Sequence, residues 1–146
     1  MTALDLGKAK LRTAATRIGF RARGVWETDA TSLPMRHVLE PPQWRFDPAR
    51  DPGVATIDNV FTGWDGEATL ADADRGIAVT VRADRAMGFL VVYAPAGKSY
   101  LALEPVTHMT DAFNRDARGE PGTGSRTLRP GAAFSCTMEI GVRLLP

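Results

Sequence analysis

The amino-acid sequence predicts an all-β fold, a sandwich or a barrel, because apolar and polar residues alternate with a period of two and turn signals recur at short intervals. The clearest alternation is at the C-terminus, where every second residue from Phe134 to Leu144 is apolar. This pattern is typical of a strand with one buried face and one wet face. No long amphipathic helix is predicted, and residues 110–115 are expected to form one short turn at most. Many short strands separated by turns favour a sandwich or barrel.

The other strands are predicted in chain order from the same periodicity. Weaker patterns come first and stronger ones follow, at residues 10–18, 20–26, 36–39, 67–70, 77–83, 89–93 and 101–104. The run from Phe89 to Tyr93 is apolar throughout, as expected of a strand that is covered on both faces. Asp51-Pro52-Gly53 and Asp65-Gly66 are turn signals between strands. Residues 116–126 are rich in glycine and charge and predict a flexible loop.

Composition excludes several classes of function. The 146 residues contain 44% hydrophobic residues, enough for one domain with a core, and the net charge is only +1. Such a charge provides no field to attract nucleic acid or an anionic membrane. No apolar run reaches the roughly 18 residues of a membrane span, and the first residues contain no signal-peptide core. We therefore predict a single domain over residues 1–146, located in the cytoplasm, without a nucleic-acid or membrane partner.

The histidines and the cysteine form no metal-binding pattern. His37 and His108 lie far apart and share no ligand spacing with each other or with Cys136. A phosphate-binding glycine loop and a serine-nucleophile motif are also missing. We predict no metal and no cofactor. Cys136 lies on the apolar phase of the C-terminal strand and is predicted to be a buried, unreactive thiol.

Two carboxylates stand out by their position. Glu104 shares its strand phase with Tyr100 and Ala102 and is followed at once by Pro105. A carboxylate in apolar surroundings costs free energy unless it is hydrogen-bonded or faces a cleft, and the alternative is a solvated edge residue. Asp58 lies between apolar and aromatic residues, where it either serves a site or closes an Asx turn.

Four segments, in order, carry a resemblance to a known family. They are residues 57–66 (IDNVFTGWDG), 88–95 (GFLVVYAP), 103–114 (LEPVTHMTDAFN) and 128–131 (LRPG). Together with the segment at 24–34, they resemble the C-terminal part of the aldose 1-epimerase, or galactose mutarotase-like, family over residues 24–146. The resemblance implies a galactose mutarotase-like β-sandwich, a supersandwich truncated on its N-terminal side. Residues 1–20 are atypical of the family.

The resemblance also implies roles for the two carboxylates. Glu104 would be the general base that takes the proton from the anomeric hydroxyl of an aldose, and Asp58 would bind sugar hydroxyls. The family's general acid is a histidine in an upstream segment that this sequence does not contain, and Val91 replaces a glutamine found in some members. His108 lies about 13 Å from Glu104 along an extended chain, and we expect it to stabilise a loop. His37 is expected to be exposed and structural.

Aromatic and basic residues complete the predicted site. Aromatic rings pack well on the CH-rich faces of sugars, so Trp64 and Phe61 are candidates to stack on a hexose. We predict Trp64 and Tyr100 as further substrate-binding residues. Packing of Trp64 within its loop is an equal alternative. Trp26 and Trp44 are expected to fill the core. Arg82, Arg85 and Arg115 are expected to be exposed on the surface, with phosphate binding as the alternative.

Two functions therefore stay open. The first is an isomerase of carbohydrate metabolism that interconverts α and β anomers, with the acid supplied unusually or by a partner. The second is a non-catalytic carbohydrate-binding protein or a relic half-sandwich. In either case uncovered sheet edges and apolar surface predict a homo-oligomer.

Overall fold

In the computed structural model of this chain, residues 12–39 and 41–146 are described, and they form two five-stranded antiparallel sheets. The strands are β1 (Thr16–Phe20), β2 (Gly24–Thr28), β3 (Pro34–Leu39), β4 (Phe46–Arg50), β5 (Ile57–Thr62), β6 (Glu67–Asp72), β7 (Ile77–Ala83), β8 (Phe89–Ala94), β9 (Ala102–Val106) and β10 (Met138–Leu144). A 3₁₀ turn (Pro42–Trp44) and one helix, α1 (Ala112–Ala117), lie between strands. The all-β sandwich predicted from the sequence is confirmed.

The strand order of each sheet decides which surfaces are covered. The first sheet, sheet A, has the order β10-β7-β6-β1-β4, and the second, sheet B, has the order β3-β2-β5-β8-β9. Strands β4 and β10 are therefore the edges of sheet A, and β3 and β9 are the edges of sheet B. Among the described residues, no helix is long and apolar enough to cross a membrane.

Aromatic side chains join the two sheets in the core. Phe20 and Phe46 of sheet A stack with ring centroids 4.9 Å apart, and Phe61 of sheet B meets Phe20 edge-on at 4.8 Å. All three are buried, together with Val25 and Leu90. Burial of each such side chain stabilises the fold by about 1.5–3 kcal/mol. The cluster holds one face of sheet B against sheet A and leaves its other face outward.

Two strands were not predicted because their local sequence opposes a strand. β4 contains Pro48 and Asp47, and β5 contains Asp58 next to Asn59, all residue types that are depleted in strands. Pro48 is tolerated because β4 lies at a sheet edge. Non-local pairing with neighbouring strands therefore overrides local propensity. The Asx-turn alternative for Asp58 is wrong.

The prediction for the C-terminal strand is partly wrong. Strand β10 begins at Met138 rather than at Phe134, and the preceding Cys136 is half-buried rather than buried. Its alternating apolar side chains are exposed, with Leu144 at 81%. They lie on the same side of sheet A as the core, because Ile140 pairs with Val81 and Val81 pairs with the buried Ala68. However, none of them belongs to the core clusters of the described residues.

Candidate functional site

The outer face of sheet B brings together the residues of the candidate site. Directly opposite residues of antiparallel strands lie on the same side of a sheet, and neighbours along a strand lie on opposite sides. Phe61 and Leu90 pair in the core, so the adjacent pair of Val60 and Val91 lies on the outer face. Val91 also pairs with Glu104. The carboxylate of Glu104 is exposed on this face, on edge strand β9.

Asp58 lies on the same face as Glu104. It pairs with Tyr93, which pairs with Ala102 of β9. Two strand spacings and two residues along the sheet separate the Cα atoms of Asp58 and Glu104, which corresponds to about 12 Å. This arrangement depends on the pairing of β5, β8 and β9.

The loop between β2 and β3 places Ser32 beside the carboxylate of Asp58. The hydroxyl of Ser32 donates a hydrogen bond of 2.8 Å to Asp58 Oδ2. Asp29 shapes this β2–β3 loop, because its Oδ1 accepts hydrogen bonds from Thr31 Oγ1 and from the backbone N–H groups of Thr31 and Leu33. The hydrogen bond from the Thr31 hydroxyl, followed by the two backbone bonds, lowers the pKa of Asp29. Ser32 itself adopts a left-handed φ of 63°, a backbone conformation that is strained for a serine. The loop tolerates this strain while the Ser32 hydroxyl donates to Asp58.

Tyr93 lies directly opposite Asp58 in the sheet, and a second tyrosine, Tyr100, lies beside Tyr93. Tyr93 and Tyr100 lie with ring centroids 6.3 Å apart, and Tyr100 is 41% exposed. The pKa of Tyr93 is raised, first by the negative charge that an ionised Tyr100 would carry, and then by burial, a hydrogen bond with Tyr100 and the charge of Asp58. The Tyr93 phenol is therefore neutral at ordinary pH and can donate a hydrogen bond. Tyr93 was not predicted as a site residue, although its place in the GFLVVYAP segment was the available signal.

A cap formed by residues 107–126, which includes α1, covers one end of the outer face. Met109 and Ala112 of the cap are buried against Val60, and Trp26 and Val91 are half-buried beside them. The Asp58 and Tyr93 end of the face lies two residues further along these strands from Val60 and Val91. The outer face is therefore partly apolar and covered, and partly polar and open.

Arg115 fastens the cap to the sheet. Its guanidinium lies over the ring of Trp26 at 4.4 Å from the centroid, pairs with Glu120 and donates to the backbone carbonyl of Pro34. The residue is only 8% exposed, and its Nε has no hydrogen-bond partner among the described residues. The expectation that Arg115 is exposed is wrong. Trp26, expected to fill the core, packs against the smaller apolar cluster beneath the cap. Burial of a guanidinium requires such stacking and pairing.

The two histidines serve other contacts. His37 lies in the same cross-strand row as Glu104, but four strand spacings away, which is about 19 Å. Its Nε2 lies 2.8 Å from Thr62 Oγ1. His108 Nδ1 lies 2.9 Å from Thr107 Oγ1, and its ring lies 5.2 Å from that of Phe113 within the cap. At about 19 Å from Glu104, His37 is too distant to serve as an acid on a bond that Glu104 could reach.

Trp64 lies apart from the other predicted site residues. It is 6% exposed within the core cluster, and its indole Nε1 donates a hydrogen bond of 2.9 Å to the carbonyl of Glu67. A ligand on the outer face of sheet B does not reach this side chain. The packing alternative therefore describes Trp64, and we leave it out of the candidate site.

The described residues contain a cavity away from Asp58 and Glu104, and they contain no cluster of metal ligands. A cavity of about 340 Å³ opens beside Phe20, Trp44 and Phe46 at another part of the sandwich, without Asp58 or Glu104 in its lining. Within the described ranges, no group of three or more His, Cys, Asp or Glu side chains is placed to hold a metal ion. The candidate site is thus an open sheet face.

Comparisons with known proteins agree with this fold. A family model described as aldose 1-epimerase matches residues 3–141, further toward the N-terminus than the motifs extend. No curated protein sequence matches significantly. The chain superposes on a candidate aldose 1-epimerase from Escherichia coli K12 with a TM-score of 0.78 at 21% identity, covering 92% of this chain and 48% of that one. A galactose mutarotase-like protein from Clostridium acetobutylicum gives a TM-score of 0.69 at 18% identity, covering 90% and 42%. The chain spans less than half the length of either structure.

Proposed function

Because this chain belongs to the aldose 1-epimerase family, we propose that it binds an aldose, a hexose in the first instance, on the outer face of sheet B and acts at the anomeric carbon. The observation that carries this proposal is the shared face of Glu104 and Asp58, set by the pairing of β5, β8 and β9. Glu104 is exposed, while Asp58 is half-buried and already hydrogen-bonded by Ser32. These environments suit a proton acceptor and a hydroxyl-binding group respectively.

In the proposed reaction Glu104 takes the proton of the anomeric hydroxyl. The O–H electrons form the C1 carbonyl, the bond from C1 to the ring oxygen breaks, and an acid protonates the ring oxygen. Rotation about the C1–C2 bond and closure in the reverse sense give the other anomer, and the protons return. Asp58 and the phenol of Tyr93 would bind sugar hydroxyls, with Tyr100 at the rim. The acid would come from a group other than the family's histidine or from a partner, because His37 is about 19 Å from Glu104.

A second candidate function is binding of a carbohydrate without turnover. The position of His37 and the engagement of His108 within the cap favour it, because neither places an acid opposite Glu104. We also propose a homo-oligomer formed through uncovered sheet edges, which the exposed strand β10 supports. The cytoplasmic location and the single domain over residues 1–146 stay predictions from the sequence.

Polarimetry of freshly dissolved α-D-glucose and α-D-galactose tests the proposal. The wild type is compared with Glu104→Gln, and with Glu67→Gln as the matched control on the exposed face of sheet A. Saturation-transfer NMR with the same sugars measures binding, with Asp58→Asn as the binding variant. Circular dichroism verifies that each variant is folded.

Each outcome has a distinct meaning. Mutarotation above the buffer rate that is lost in Glu104→Gln and kept in Glu67→Gln supports the epimerase. A rate equal to buffer, with binding that Asp58→Asn weakens, supports the non-catalytic function. Absence of both turnover and binding contradicts the proposed function.

A further inference from the structure

Among the residues that the structure describes, no strand pairs with the outer edge of β10, and one side of this strand is apolar. Its inward side chains are large and exposed: Met138 at 48%, Ile140 at 59%, Val142 at 68% and Leu144 at 81%. We propose that β10 pairs antiparallel with β10 of a second copy of this chain, about a two-fold axis at Gly141, so that the two A sheets become one continuous sheet. This inference does not depend on the sugar-binding function.

The free backbone groups of β10 fit this pairing. The N–H of Leu145 donates to the carbonyl of Gly76, and the carbonyl of Thr137 accepts from the N–H of Asp84. The backbone N–H and C=O groups of the odd-numbered residues therefore point toward β7. Alternation in an antiparallel ladder directs the N–H and C=O groups of the even-numbered residues to the free edge. With the axis at Gly141, Ile140 meets the partner's Val142, and each such pair exchanges two hydrogen bonds. The edge groups of the whole strand are then satisfied.

Side chains on both faces also match in this register. On the inward side Ile140 lies beside the partner's Val142, and Met138 lies beside the partner's Leu144, so every close contact is apolar. Gly141 lies opposite its own copy at the axis, where no side chains collide. An added Cβ at Gly141 would meet nothing within 4 Å in the single chain. The apolar stripe that is exposed in one copy is thus shared between two.

Charges on the outward side select the register. With the axis at Gly141, Glu139 lies opposite the partner's Arg143, and symmetry repeats the pair. Within the chain, Glu139 lies 4.0 Å from Arg82, which pairs with Glu67 at 2.8 Å. The partner's Arg143 would extend this ladder of alternating charge by one strand. An axis at residue 140 or 142 separates Glu139 from the partner's Arg143 and loses the match.

The edge carries little that would prevent such pairing. Natural edge strands are protected by proline, by inward-pointing charges or by a bulge. The seven residues of β10 contain no proline, and all four of its inward side chains are apolar. Its ladder to β7 is regular from Met138 to Leu144. A second copy is the occupant that the charge pattern fits, because Glu139 and Arg143 are equidistant from Gly141.

Charge reversal with exchange of partners tests the interface. Sedimentation velocity over the micromolar range measures dimerisation of the wild type, of Arg143→Glu, of Glu139→Arg and of their equimolar mixture. Each variant alone places like charges opposite each other twice, and we expect its dimer to be weaker by about tenfold or more. The mixture restores opposite charges at both positions, and we expect it to form a heterodimer.

Two further variants complete the test. Val142→Pro removes an N–H that faces the free edge rather than β7, so it should abolish the dimer while circular dichroism stays unchanged. Arg85→Glu, the same charge change at an exposed position outside β10, should leave dimerisation unchanged. A wild type that remains monomeric overturns the proposal and indicates that something other than a second copy lies against the edge of β10. A dimer that ignores the β10 variants, or a mixture that does not recover, also overturns it.

Discussion

Replacement of Arg115 by methionine tests how the cap is held on sheet B. Methionine keeps the apolar stem but removes the guanidinium, which stacks on Trp26 at 4.4 Å and donates to the carbonyl of Pro34. A stack with a desolvated cation contributes about 2 kcal/mol. A hydrogen bond from a charged donor contributes about 1.5–3 kcal/mol. The desolvation cost of the buried charge opposes both contributions.

The net loss in the free energy of unfolding should be about 3 kcal/mol, the lower end for breaking a buried ion pair. The lower end applies because Glu120 keeps a second partner, Arg118, at 2.9 Å. Urea unfolding followed by circular dichroism and tryptophan fluorescence measures the loss, with an unchanged slope as the sign of a two-state comparison. Arg115→Lys keeps the charge but loses the planar stack, so it should fall between methionine and wild type.

Arg118→Met is the matched control for this experiment. Arg118 also pairs with Glu120 and with Asp111, but its side chain is 53% exposed. Exposed ion pairs contribute little to stability, so the control should lose less than Arg115→Met. Equal losses for the two variants would refute the reasoning, because burial and stacking would then have no measurable part in holding the cap.

Three further predictions concern the sheets. Asp72 is buried and, although burial alone would raise its pKa, hydrogen bonds that include one from Thr16 lower it. The stabilisation from ionised Asp72 should be complete above the unfolded pKa of about 3.9 and should decline as pH falls through the lower folded pKa. The difference in the free energy of unfolding between wild type and Asp72→Asn, measured as a function of pH, should therefore shrink in acid. Tyr100→Phe should lower the pKa of Tyr93 in an ultraviolet titration, and an unchanged value would contradict the assigned cause. Gly24→Ala should lower thermal stability by about 1–3 kcal/mol, since the new Cβ would lie 2.9 Å from the carbonyl of Val38.

Local periodicity predicted much of the sandwich. Strand β7 (Ile77–Ala83) has the predicted bounds, and β8 and β9 differ from theirs by one or two residues. Strands β4 and β5 escaped prediction because Pro48, Asp58 and Asn59 disfavour strands locally, while pairing with distant segments compensates. The short turn predicted near residues 110–115 is α1.

The candidate site shows where local reasoning stops. Glu104 and Asp58 were identified in the sequence, but their shared face requires the register of β5 with β8 and of β8 with β9. Tyr93 enters the site through the same register. The stacking of the Arg115 guanidinium on Trp26 joins residues that are far apart in the chain, and no pattern in the sequence predicts it.

The sequence by itself determined the period of the strands, the turns between them, the family and the two carboxylates. Only the tertiary structure decided which side of each strand is covered. Alternation requires neighbouring residues to point to opposite sides, but it does not state which side meets another sheet. Thus Trp26 lies on the outer face of sheet B, beneath the cap, and not between the two sheets. For the same reason the apolar side of β10 is exposed: the pattern is local, whereas cover depends on what lies opposite an edge strand.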